Sequence, residues 1–215
     1  MKKKAALCLI LVFTCIAAIG IFLWRWPSAA MQRHVKDVIS LLEKEKQKTL
    51  DFLKLDSDEL LEPLSLVYTA PCTLQLGKYH YQPILEFHQE ESGEYLSKYG
   101  FCFDDLSAGQ AVALSGELLR QISLELGLEA PKSMGGQYVY PDSSSEAIDT
   151  DSSIAQLSAE KLGRASSCIV TEVWYEEDEL YFQLVFSKTT DETGNANFVY
   201  LLSYIYSPPA SLHGQ

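Results

Sequence analysis

Histidine is scarce in this chain, with four among 215 residues. His34 lies near the N-terminal apolar run, His80 and His88 lie in one β-rich stretch, and His213 lies in the tail. There is no C-x-x-C pair, which removes thioredoxin chemistry and a zinc knuckle from consideration. There is no G-x-S-x-G, so a nucleophile elbow is excluded. Neither common glycine-rich phosphate loop occurs. Basic residues are also short in supply beyond the N-terminus. Residues 1–30 hold four bases and no acid, which leaves 13 bases against 29 acids, a net −16, on the remainder. A body this acidic repels phosphate backbones, so no nucleic-acid partner is expected. The same charge opposes docking of the body onto an anionic lipid surface.

What is present begins with a membrane signal. Lys2, Lys3 and Lys4 precede an uncharged run from Ala5 to Trp24, followed by Arg25 and Trp26. As a helix, twenty such residues extend roughly 30 Å, the thickness of a hydrocarbon core. The aromatic–cation pair suits the interface, and the lysines place the N-terminus in the cytoplasm. The expected layout is a basic tail at 1–4, a signal-anchor span at 5–26 and a juxtamembrane helical region at 27–63. An extracytoplasmic domain at 64–207 and a tail at 208–215 complete it. The alternative is secretion after signal cleavage, at Ser28-Ala29-Ala30 or Ala18-Ile19-Gly20.

Val35, Val38, Ile39 and Leu42, then Leu50 and Leu53, keep helical spacing over 29–55. The Glu43-to-Lys48 charge run interrupts them, which argues against a long coiled coil. Asp56 and Glu59 start a short helix that Pro63 ends. Residues 66–88 and Tyr95 to Phe103 read as a β-hairpin with a long connection. Ser107 and Gln110 form a capping box, and Ala111, Leu114, Leu118, Ile122 and Leu126 make one apolar stripe. Gly127 is the natural stop, so a helix is expected over 107–126. Residues 130–153, with Gly135-Gly136, serines and acids, read as a mobile acidic loop. A short helix follows over 153–164. Cys168–Tyr175, Leu180–Ser187 and Asn197–Tyr206 are three β-rich runs of a meander, with Leu180, Phe182, Leu184 and Phe186 on one face. The fold class is therefore α+β: a curved antiparallel sheet, hairpin plus three-strand meander, packed on a long helix. The order resembles that of nuclear-transport-factor-2-like and cystatin-like domains, a likeness of element order that implies no function.

Four groups of residues bear on chemistry. Glu86, His88 and Glu90 project from one strand face, where carboxylate and imidazole could share a divalent metal, yet residues two apart sit roughly 6.5–7 Å apart. The plain expectation is a wet strand face. Asp149 and Glu160 have the spacing of the first and twelfth calcium-loop ligands, but Ile154 holds the position where glycine is needed. A cysteine–histidine pair of Cys102 with His80 or His88 would need Cys102 reactive, and its neighbours Phe101 and Phe103 favour packing. Tyrosines are numerous, and Tyr79, Tyr81, Tyr200 and Tyr204 are the expected partner or ligand surface. Of the five cysteines, Cys72 and Cys102 are the expected disulfide, with Cys168 left over.

The chain thus reads as a non-catalytic binding domain tethered to the cell membrane by one helix, with an envelope protein or a small ligand as partner. No metal or other cofactor is expected. Two alternatives remain open at this point. One is an envelope hydrolase or metal-dependent enzyme with its site in the 80–105 hairpin, and the other is a structural membrane-tethered spacer.

Overall fold

A computed structural model of the chain describes residues 29–56, 67–177 and 179–205. Among them no helix is long and apolar enough to cross a membrane. The span expected at 5–26, most of the short helix expected from Asp56 to Pro63, Tyr206 and the tail lie outside the described residues.

The architecture is α+β, an antiparallel sheet of nine strands with helices packed on it. Helix α1 covers residues 29–41 and α2 covers Lys46–Leu53. Four strands follow: β1 (Val67–Thr69), β2 (Leu74–Leu76), β3 (Tyr79–Glu90) and β4 (Gly93–Phe103). Then come α3 (Ala108–Leu126), β5 (Lys132–Val139), β6 (Ser145–Ile148) and α4 (Ala159–Arg164). The chain closes with β7 (Ser167–Glu176), β8 (Glu179–Thr190) and β9 (Ala196–Tyr204). In space the order is β1-β3-β4-β9-β8-β7-β5-β6, with β2 also paired to β3. The hairpin β3–β4 and the meander β7–β9 are joined by pairing of β4 with the last strand, from Tyr99↔Leu202 to Phe103↔Phe198.

The long helix forms as its sequence dictates. Ser107 Oγ accepts from the Gln110 N–H, and the Ser107 N–H donates to Gln110 Oε1. Gly127, at φ 69°, turns the chain out of the helix. Ala111, Leu114, Leu118 and Ile122 are buried against the sheet, each large aliphatic contributing about 1.5–3 kcal/mol before entropy. Two bonds orient α3 on the meander: Tyr200 donates to the Ala111 carbonyl at 2.6 Å and Trp174 Nε1 donates to Ser123 Oγ at 2.8 Å.

Three expectations need correction. The region 130–153 is not a loop. Its first half is β5, held between β6 and β7, and β6 itself comes from the serine-rich stretch. Met134-Gly135 is a bulge inside β5, where the pairing with β7 jumps from Ser133↔Glu172 to Gly136↔Val170, and Gly136 beside it serves a close strand approach rather than a chain break. The connection between β3 and β4 is short, only Glu91 and Ser92. Finally, α1 and α2 do not stand apart from the α+β domain. Val35, Val38, Leu42 and Leu50 belong to the same hydrophobic core as the sheet. α1 lies on β3 and β4, where His34 Nε2 meets the Tyr81 hydroxyl at 2.5 Å and Tyr81 meets Tyr99 at 2.9 Å. Burial pushes the His34 pKa down, opposed by Asp37.

Glu172 is fully buried on β7. One carboxylate oxygen accepts from the Ile154 N–H at 2.6 Å. The other has no partner, and burial pushes the carboxyl pKa up, opposed by the hydrogen bonds from Ile154 and Ser153. A folded-state pKa above the unfolded one favours the protonated fold. This contribution is complete below the ordinary carboxyl value of about 4.3 and is lost as pH rises through the folded value. Glu172→Gln should therefore melt higher than the parent at pH 7.5, with the gap narrowing toward pH 5. Thermal melts at the two pH values check this, and an equal gap at both would show that the carboxyl does not titrate in that window.

Candidate functional site

Two bulges open the sheet at one end. In β4, Glu86 pairs with Lys98 but Phe87 pairs with Leu96, which leaves Ser97 as an extra residue. Its Oγ donates to the Glu86 carbonyl at 2.9 Å. In β8, Trp174 pairs with Phe182 but Tyr175 pairs with Leu180, which leaves Tyr181 as the extra residue. A bulge bends its strand and increases the local twist. Beyond Tyr99↔Leu202, β4 and β9 no longer pair, although β4 runs on to Gly93 and β9 stays paired with β8 as far as Tyr204. The two strands fork.

The turn between α1 and α2 wedges into this fork. The Glu43 N–H donates to the Leu96 carbonyl at 2.8 Å, and the Leu96 N–H donates to the Lys44 carbonyl at 2.9 Å. Glu43 itself has φ 61°, the left-handed region that a non-glycine residue seldom occupies. The charge run that interrupts the helical spacing is where the helix breaks to make this turn.

A depression lies on each side of the wedge. One, of about 390 Å³, is walled by Glu43, His88, Glu90, Lys98, Gln183 and Ser203. The other, of about 580 Å³, lies between the end of α1, with Ile39, Leu42 and Lys44, and the strand ends at Glu176, Glu179 and Tyr181. Glu43 and Tyr204 line both. Within the smaller one His88 Nε2 is 3.0 Å from Glu90 and 3.8 Å from Glu43, and its ring stacks on Tyr95 at 5.8 Å. Lys98 is taken up by Glu86 at 3.0 Å. Burial pushes the Glu43 carboxyl pKa up; His88 opposes this and Glu90 adds to it. The bulged Tyr181 swings round to meet Tyr204 edge-on at 5.3 Å.

The expected site residues divide accordingly. Tyr204 lines the fork and Tyr79 is partly buried against the core. Tyr81 and Tyr200 are not surface residues. Both are buried because they fall on the strand face beneath the helices, where Tyr200 meets Ala111 and Ser115. Of the expected trio, His88 and Glu90 reach the fork, joined there by Glu43, whereas Glu86 is tied to Lys98. Among the described residues no three of the His, Cys, Asp and Glu side chains are placed to hold a metal ion. Asp149 and Glu160 are separated by the 3₁₀ turn Ile154–Gln156 and the start of α4.

The expected Cys72–Cys102 disulfide is not formed. Cys72 packs against the core, on the side of Tyr81 and Tyr99. Cys102 alternates with the buried Phe101 and Phe103 and so faces the other side of the sheet. Cys102 pairs with Gln82, six residues from His88 along β3, or roughly 20 Å. That register rules out a Cys102–His88 pair. Burial and then Asp104 push the Cys102 thiol pKa up, the reverse of what activates a nucleophile.

Glu43, Lys98, Tyr181, Gln183 and Ser203 enter the site without having stood out in the sequence. They come from α1–α2, β4, β8 and β9, and only the positive φ at Glu43 is a local mark. No family model matches the chain, and neither a curated protein nor a solved structure matches it. The likeness to nuclear-transport-factor-2-like and cystatin-like domains thus rests on element order alone.

Proposed function

We propose that this chain is a non-catalytic, membrane-tethered binding domain whose partner docks in the fork between β4 and β9. The observation that carries the reading is the fork itself. It is a two-sided depression with aromatic and charged walls, opened by two bulges and propped by the α1–α2 turn, in which Glu43 is left-handed. Sheets otherwise close such gaps by strand pairing, and bulges recur where a strand must be re-aimed for function.

The tether reading keeps its sequence basis: a span at 5–26, the N-terminus in the cytoplasm and the domain outside the cell membrane. On that reading residue 29, the first described residue of α1, follows the expected span by three positions. The thirteen described residues of α1, 29–41, advance the chain about 18 Å, and the fork lies at their far end. An envelope protein is the favoured partner, since a tether confines the domain near other membrane proteins and raises their effective concentration. A curved sheet would present the fork along its rim. A domain released by signal cleavage would bind through the same fork.

The test is crosslinking in native membranes, followed by purification of the full chain and mass spectrometry. One stoichiometric partner should be captured by the parent and by Tyr140→Ser, on the distant β5–β6 hairpin, and be lost with Tyr204→Ser. Retention of that partner by Tyr204→Ser would place binding elsewhere. Capture of no partner by the parent would favour the spacer.

A further inference from the structure

We infer that the occupant of the fork is an extended peptide segment bearing lysine or arginine. This rests on the reading of the fork as the partner site and specifies its chemistry.

The shape favours an extended chain. β9 runs two residues past its last β4 pair, the buried Ser203 and the half-buried Tyr204, and no strand pairs with them on that side of the α1–α2 turn among the described residues, while β8 holds the other side. An open strand edge recognises an extended segment through main-chain hydrogen bonds, and side chains beside it set the choice of sequence.

Charge selects the segment. Glu43, Glu90, Glu176 and Glu179 line the two depressions, against Lys44, Lys98 and His88, whose Nε2 lies 3.0 Å from Glu90 and 3.8 Å from Glu43. Lys98 is already bonded to Glu86, so carboxylates are in clear excess. Glu43 faces both depressions with its side chain 22% exposed, where screening by water is reduced and a cation gains more than at an open surface. The Tyr181 and Tyr204 rings offer faces for the aliphatic stem and charged head of a basic side chain. An acidic segment would instead meet both these carboxylates and the negative charge of the whole domain.

The experiment uses the full chain in neutral-detergent micelles. Three fluorescein-labelled peptides of about ten residues are compared by anisotropy: alternating lysine–valine, serine–valine and glutamate–valine. The lysine peptide should bind at least about tenfold tighter than the serine one and weaken with added salt, and the glutamate peptide should not bind. Glu43→Gln should weaken the lysine peptide several-fold, and the Glu176→Gln/Glu179→Gln pair should do likewise, which covers misfolding of either variant. Glu160→Gln, an exposed carboxylate on α4, should leave it unchanged. Equal binding of the lysine and serine peptides overturns the inference, as does an equal loss for Glu160→Gln and Glu43→Gln, which would mark general attraction to an acidic surface. If Tyr204→Ser still abolishes partner capture while the lysine peptide does not bind, the cationic ligand is wrong and the fork remains the site.

Discussion

Gly136→Ala should destabilise the fold by about 3 kcal/mol or more, toward the severe end for a single added methyl group. A Cβ at this position would lie 1.9 Å from the Ile169 carbonyl oxygen and 2.9 Å from its carbon. Ordinary carbon–oxygen contacts between strands are about 3.3–3.6 Å, so β5 and β7 would have to part by more than an ångström. The obstacle is backbone and cannot rotate away. Separation would also loosen β6, which pairs with β5 at the same residue through Gly136↔Ile148. Urea unfolding followed by tryptophan fluorescence measures the change. Gly109→Ala is the control, since nothing lies within 4 Å of its added Cβ. In a helix that change is worth up to about 1 kcal/mol of gain. Similar midpoints for the two variants would mean that β5 does not approach β7 so closely.

Lys188→Met should cost about 2–3 kcal/mol although it keeps most of the side-chain volume. Lys188 is 3% exposed, and its ammonium donates to the carbonyls of Leu162 at 2.9 Å, Gly163 at 3.4 Å and Ala165. These carbonyls belong to the last turn of α4 and to its C-cap, Ala165, where no later residue of the helix can satisfy them. The ammonium also sits at the negative end of the helix dipole. Burial lowers the Lys188 pKa, with Cys168 opposing. The opposite strand carries Cys168 as its direct partner, where burial raises the thiol pKa to about 12. Methionine leaves three carbonyls without their donor. Hydrogen exchange should then speed up over 159–166 before the meander strands loosen. Unchanged exchange there would show that α4 is held by its apolar contacts, with Leu162 foremost.

The best-read elements were those whose signals are local. The capping box at Ser107 and Gln110, the stripe from Ala111 to Ile122 and the stop at Gly127 all depend on residues within a few positions of each other. Alternation in the meander likewise placed Phe182, Leu184 and Phe186 on the buried face. The sequence does not decide residues whose meaning depends on a distant strand. Gly135-Gly136 has the composition of a loop, and only the closeness of Ile169 makes it a strand. Tyr81 and Tyr200 have the β-propensity of surface tyrosines, and only the helices above them decide that they are buried. Cys72, in the connection between β1 and β2, and Cys102 do not pair because they lie on opposite sides of a sheet whose register is not legible in the sequence.

The site was legible only in pieces. His88, Glu90 and Tyr204 are each visible as candidates, 116 residues apart in the chain at the extremes. Their convergence with Glu43 depends on the single extra residues at Ser97 and Tyr181, which carry no sequence mark. What the sequence by itself determined is the α+β class, the long capped helix, the meander and the acidity of the domain, because these follow from periodicity, capping chemistry and charge. The tertiary structure alone decided that β4 and β9 pair and then part, that the α1–α2 turn wedges into the parting, and which tyrosines face it. Strand register between distant segments is set by collective packing of the core, and a one-residue shift moves every side chain to the other face.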